Sequence, residues 1–301
     1  MTVDPVTYRS IAPVQALPKV DTSSLFSENV HAALSPVDQF IANTTAINLV
    51  FVPYNDPNKG WKTELGTLVV LGYVSAVESF MRAMIAGLIE IDEQSRRLAG
   101  PKSVTFAAAT HTNSGRLLTE ALLENISFST KGELEKALRE FLGIEKLPAD
   151  IGQALDEFRK LCELRHCCVH RFGKLGSQNA MRLGYEAHEA IIEHSFSPAI
   201  SDVEAIADAL QIIVKTLNNF IFSAIIDRTV LASLEKRISW NWSWNYSADK
   251  KRFLKYYNFF SARDGALKSP DAKEIYDSFR AKHRVMVLGW AKKGMMIASH
   301  P

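Results

Sequence analysis

Cys162-Glu-Leu-Arg165-His166-Cys-Cys-Val-His170-Arg171-Phe-Gly173 is the stretch on which the reading of this chain turns. It closes a helix that opens at Pro148-Ala-Asp, and Gly173 supplies a stop. Four nitrogen side chains, Arg165, His166, His170 and Arg171, fall within seven positions. Arg165 and His170 lie about 140° apart around an ideal helix, one turn removed. A helix end that opens near Gly173 brings them together. An arginine and a histidine can run phosphodiester chemistry without a metal. The histidine moves protons near its ordinary pKa of about 6.5. The guanidinium offers fixed donors and charge to a phosphorane-like transition state. Two other readings stay open. Cations at a helix C-terminus are favourable through the macrodipole alone. Cys162, His166 and His170 follow one another at four-residue steps, so one stripe could meet an ion. No second ligand cluster supports that, and the expectation is neither metal nor cofactor.

Outward from this stretch the chain reads as helices. Apolar spacing near 3.6 residues through Leu68, Leu71, Val74, Phe80 and Met81 predicts one long helix over 64–98, stopped by Gly100-Pro101. A second helix is expected over 114–126. Thr130-x-x-Glu133 is a capping box ahead of Leu134, Leu138 and Phe141, and Gly143 ends that helix. Ser201-x-x-Glu204 is a second box and opens a helix through Ile206, Leu210, Ile213, Leu217 and Phe220 to about 234. Ser35-Pro-Val-Asp38 opens a short helix. The apolar run 47–52 reads as a strand, ending at the Pro/Asn/Asp/Gly loop 53–60. The expected organisation is an N-terminal arm and packing segment over 1–63, a helical domain over 64–234, and a basic, aromatic appendage over 235–301.

Composition bounds the rest. The chain has 301 residues, 47% hydrophobic and 23% charged, with a net charge of +2. That is enough to bury a core without disulfides. Three crowded cysteines make no disulfide framework. No uninterrupted apolar run reaches about 18 residues and no signal peptide is evident, so a cytoplasmic protein without a membrane contact is expected. The charge is uneven. Residues 231–301 carry 14 Lys and Arg against 6 Asp and Glu, whereas 1–230 carry 21 against 27. Lys250, Lys251, Arg252 and Lys255 interleave with Trp242, Tyr256 and other aromatics. Basic groups hold phosphates and aromatic faces stack bases, which suits single-stranded RNA. The other reading makes these aromatics the core of a small subdomain. Gly-x4-Gly-Lys-Ser/Thr, Gly-x-Gly-x-x-Gly and Gly-x-Ser-x-Gly are all absent, against P-loop and serine hydrolase chemistry.

The Arg165-x4-His170 segment resembles the signature of HEPN-superfamily ribonucleases, an Arg followed four to six residues later by His. His166 stands at the polar position after the Arg, and Val169, Arg171 and Gly173 also match what is common there. Tyr73-Val-Ser-Ala-Val-Glu78-Ser-Phe-Met-Arg82 looks like the first long HEPN helix with its acidic residue. The resemblance covers about 64–234 as a helix order and is specific in about a dozen residues. It implies a mostly α, HEPN-like bundle that forms a homodimer, with two motifs meeting in one composite cleft. It implies metal-independent cleavage of single-stranded RNA, in a toxin–antitoxin or phage-defence setting with an antitoxin or regulatory partner. By position, His170 would be the acid/base, Arg165 the phosphate ligand, His166 the orienting polar group, and Glu78 and Arg171 supporting residues. Glu78 and Arg82, four apart, could instead pair with each other. The second function class is a non-catalytic dimeric module that grips RNA or a protein through 240–260.

Overall fold

A computed structural model describes residues 12, 16–27, 34–55, 60–111, 115–265 and 267–292. Helix takes up 73% of the described residues, and none of them lies in a strand. The chain divides into two compact units, Met1–Ala33 and Leu34–Pro301. In the first, the described residues hold one short 3-10 turn, Ser23–Leu25, stapled by the Asp21 carboxylate, which accepts from the Ser23 N–H and hydroxyl.

The second unit is built on two long helices, α2 (Thr63–Ile91) and α9 (Ile200–Leu234). Before them comes α1 (Pro36–Phe51), and between them α3 (Glu93–Ala99), α4 (Phe106–His111), α5 (Gly115–Leu123), α6 (Lys131–Leu142), α7 (Ala149–Arg171) and α8 (Ser177–His188). After them come α10 (Tyr246–Phe260) and α11 (Ala272–Lys292). Helix α2 is buried along most of its length: Tyr73, Phe80, Met81, Met84, Ile85 and Leu88 are sealed from solvent. Each such side chain stabilises the fold by about 1.5–3 kcal/mol through removal from water. Around α2 pack α1, α5, α6, α7 and α9, and one apolar cluster runs from Val37 to Phe279. That cluster spans positions 63 and 234, the boundaries drawn above.

Several elements differ from expectation, each for a local reason. The run 47–52 is helical up to Phe51 and continues into a 3-10 turn. Five apolar residues around Asn48 do not distinguish strand from helix by themselves. Ser35 decides: its side chain accepts the Asp38 N–H, Pro36 fills the first turn, and α1 runs sixteen residues. The helix expected over 64–98 breaks at Asp92, whose backbone is extended and whose carboxylate caps α3 by accepting the Ser95 N–H at 2.7 Å. Helix α9 begins at Ile200 rather than at the Ser201 box. Asp202 reaches back to the Ala199 N–H at 2.8 Å, which leaves Ser201 inside the first turn. By contrast, α6 follows its sequence signals: Thr130 caps it and Gly143 closes it in the left-handed region at φ 64°.

Helices α2 and α9 are also long and apolar enough to cross a membrane by length and composition, with stretches of mean hydropathy 1.5. That corrects the count of apolar runs above, since the scattered charges in each helix interrupt a run without lowering the mean enough. Their buried faces are taken up by the core, 56% and 44% of those stretches respectively.

The aromatic region 240–260 joins the main core and forms no separate one. Trp242, Phe253, Tyr256, Phe260, Tyr276 and Phe279 all belong to the single cluster. A buried carboxylate holds the chain there: Asp249 accepts from the Ser243 and Trp244 N–H groups at 3.0 Å and from the Tyr276 hydroxyl at 2.6 Å.

Candidate functional site

Helix α7 buries Ile151, Leu155, Phe158, Leu161 and Cys162 along one face, against α2, α6 and α9. This leaves the opposite face of its last turns open. His166 and His170 are exposed, and their rings meet at 4.3 Å between centroids. Arg165 turns towards α2, where its Nη2 lies 3.9 Å from Glu78 Oε1. The structure thus brings Glu78 and Arg165 together from two helices, and His166 and His170 together on one.

Burial pushes the Glu78 carboxyl above the usual carboxylate range, against the pull of Arg165 and then Arg82. Glu78 does not pair with Arg82. The Arg82 guanidinium donates to the carbonyls of Leu123 and Ile126, at the end of α5, and lies over the Phe128 ring. Arg165 is therefore the partner of Glu78, and the i, i+4 alternative falls. A raised carboxyl contributes stability below the unfolded glutamate pKa, and that contribution is lost as pH rises through the folded value. Glu78→Gln removes this slope. The melting temperature of the variant relative to wild type rises between pH 4 and pH 7 in a series of thermal melts. A difference that is flat or falls contradicts this assignment.

After Arg171 the chain turns through two left-handed residues, Phe172 (φ 50°) and Gly173 (φ 88°). The Phe172 side is left 90% exposed, beside Val169 at 47%. The turn is pinned from behind. Gly173 O accepts the Phe196 N–H at 2.8 Å, Leu175 exchanges backbone bonds with Glu193 and His194, and Lys174 pairs with Ser195 in an isolated bridge. Arg171 belongs to this clamp. Its Nη2 binds Glu193 at 2.6 Å and its Nη1 binds Leu175 O at 3.2 Å, so it supports the loop and is turned away from the histidines' chemistry. Glu163 plays the same part for α8, accepting from Asn179 at 2.8 Å and from Arg182 at 3.3 Å. Sequence reasoning missed Glu163, because a lone acid two residues before Arg165 carries no local signal of what it will hold.

Cys162 is buried among Glu78 and core residues, and burial pushes its thiol up to about 12. It does not share the open face with His166 and His170. Among the described residues no three His, Cys, Asp or Glu side chains are placed to hold a metal ion. Burial also pushes the Cys168 thiol up to about 11, and Cys167 is raised for the same reason. Thiols held so far above neutral pH are poor nucleophiles.

Of the six residues assigned to RNA in the C-terminal region, two lie in the core. Trp242 is 6% exposed and donates its indole N–H to Thr229 Oγ1 at 2.9 Å. Tyr256 is 3% exposed and bonds Asp92 at 3.2 Å. Neither presents a face for a base. Lys250, Lys251 and Lys255 are exposed, and Arg252 is half-buried.

No family model, curated protein or solved structure matches the chain.

Proposed function

We propose that this protein is a metal-independent endoribonuclease of the HEPN type, acting on single-stranded RNA as a homodimer. One observation supports the reading above the others: Arg165, braced by Glu78 from α2, sits one residue from an exposed His166–His170 pair on a helix end pinned from behind. In this reading His170 removes the proton from a ribose 2′-hydroxyl, which attacks the adjacent phosphorus. The leaving 5′-oxygen takes a proton from a second imidazole. Arg165 holds the non-bridging oxygens as charge develops on them. At 3.9 Å the Glu78 carboxylate orients Arg165 by charge without taking up its donors in a hydrogen bond, which leaves them available to phosphate. Exposed Val169 and Phe172 flank the histidines, an apolar surface of the kind that a second copy covers. The working setting is a cytoplasmic toxin–antitoxin or phage-defence system, with an antitoxin or regulatory protein restraining the nuclease.

The test is incubation of the purified protein with mixed-sequence single-stranded RNA in EDTA, beside His170→Ala. Cleavage by wild type and a loss of about 10²-fold or more in the variant is expected. Cleavage that survives His170→Ala, with the variant folded, removes the site assignment.

A further inference from the structure

An open groove of about 810 Å³ runs between α3 and α10, roofed by the segment that joins α9 to α10. Its wall carries Arg96, Lys251, Arg252 and Lys255, with the Trp240 indole among them. The only carboxylate there, Glu93, is engaged: it pairs with Arg97 and accepts from the Ser239 N–H and hydroxyl at 3.4 Å.

Some surface cations are paired and others are not; what sets these four apart is that they gather around one groove. Arg97, Lys102, Lys131, Lys160, Arg182 and Lys282 each lie within 4.0 Å of a carboxylate. Among the described residues no carboxylate comes that close to Arg96, Lys251, Arg252 or Lys255. Arg96 donates to the backbone carbonyls of Ile89 and Glu90 at the end of α2. The two lysines have no partner among the described residues. Four positive charges around one groove, against the single carboxylate of Glu93, raise the local potential and attract a polyanion.

Trp240 makes the groove more than a charged patch. Its ring stands edge-on to buried Trp242, at 5.1 Å and 90°, which fixes its orientation. The Arg252 guanidinium lies over its face at 4.3 Å and is held there by a bond to Asn241 O at 3.1 Å. A guanidinium held over an indole is a platform on which a base can stack, and the lysines beside it are placed for the strand's phosphates. The groove is open rather than enclosing, and its lining is polar, unlike the apolar cavities that take drug-sized ligands.

We propose that this groove is a binding track for single-stranded RNA, separate from the α7 pair. The choice of RNA over other single strands rests on the nuclease reading above. The track holds substrate by phosphate contact at Lys251, Lys255 and Arg96 and by stacking at the Arg252–Trp240 platform.

The test uses a fluorescein-labelled, 2′-O-methylated dodecauridylate, which has no 2′-hydroxyl to attack and is not cut by the proposed chemistry. Binding to the full chain is read by anisotropy from 50 to 300 mM salt. Lys251→Gln/Lys255→Gln, at two exposed side chains, is expected to weaken binding about tenfold at the lowest salt. It is also expected to flatten the slope of log affinity against log salt by about 1.4, the share of two phosphate contacts on a single strand. Lys62→Gln/Lys146→Gln, which removes the same charge elsewhere, is expected to leave both unchanged. A matched 12-base-pair RNA duplex and an inorganic polyphosphate of equal charge are expected to bind more weakly than the single strand. Three outcomes overturn the proposal: no change in the Lys251/Lys255 variant, an equal loss in the Lys62/Lys146 control, or duplex or polyphosphate binding as tightly as the strand. A negative cleavage assay does not affect this result, and a failed binding assay does not affect cleavage at α7, so the two readings fail separately.

Discussion

Arg228→Ala is expected to cost the fold about 3–5 kcal/mol, the range for removing one partner of a buried ion pair. Arg228 projects from α9 into the corner where α2 breaks and α3 begins. Its side chain is 16% exposed, and that of Asp92 is 4%. One guanidinium nitrogen donates to Asp92 Oδ2 and to Ser95 Oγ, and the other to Leu142 O at the end of α6. The Tyr256 hydroxyl of α10 completes the shell around Asp92. Five helices therefore meet at one charge pair. Alanine leaves a buried carboxylate without a cation and a helix-end carbonyl without a donor, and it opens a void. Each of these is a named route to a large loss. Urea unfolding of wild type and variant measures it, and a difference under 1 kcal/mol would show that the corner relaxes or admits water. Arg228→Met/Asp92→Leu should recover part of the loss, because an apolar pair no longer holds an isolated charge. Recovery stays incomplete, since Asp92 also caps α3 and accepts from Tyr256.

The same corner shows where the sequence stops being legible. Asp92 opens a polar run, Asp92-Glu-Gln-Ser-Arg-Arg97, and is a residue type that caps helices, but the run alone does not separate a break from the exposed face of a continuing helix. The Asp92 carboxylate caps α3 locally and is also held by Arg228, a partner 136 residues later in the chain that spacing does not reveal. Helix α6 could be read because all that defines it is local, the Thr130 cap and the Gly143 stop. The start of α9 could be read only to within two residues, because Asp202 competes with the Ser201 box and reaches an N–H outside it. At the candidate site the spacing of Arg165, His166 and His170 was visible, and so was the acid on α2. The pairing of Glu78 with Arg165 needed the packing of α2 on α7, and Arg82 was an equally good partner by spacing. Trp242 and Tyr256 read as RNA contacts because composition does not say which side chains face in. Their burial follows from Thr229 and Asp92, neither of which is near them in the chain. Trp240 and Arg96, which line the basic groove, meet only when α3 and the 235–245 segment pack side by side.

If the proposed nuclease uses one composite cleft per dimer, mixing chains gives a sharper result than either variant alone. Each chain carries one His166–His170 pair, on a face flanked by exposed Val169 and Phe172. In-line displacement at a phosphodiester needs one group to take a proton and another to give one. A twofold cleft supplies the second group from the other copy's His170. Wild type and His170→Ala, mixed in equal amounts and allowed to exchange partners, then form about one quarter wild-type dimers by random pairing. Activity falls to about one quarter of the same total wild-type dimer concentration where both copies of His170 are needed, and to about one half where each chain cuts alone. Titrating the variant from none to ninefold excess separates a quadratic fall from a linear one. Phe172→Asp on the wild-type chain adds a control. A charge in the exposed apolar rim weakens the dimer and lowers cleavage at low protein concentration, with recovery as concentration rises. A linear mixing curve together with concentration-independent cleavage would remove the composite site. Arg165 and His170 of one chain would then have to serve the reaction unaided, across the 140° that separates them on an ideal helix.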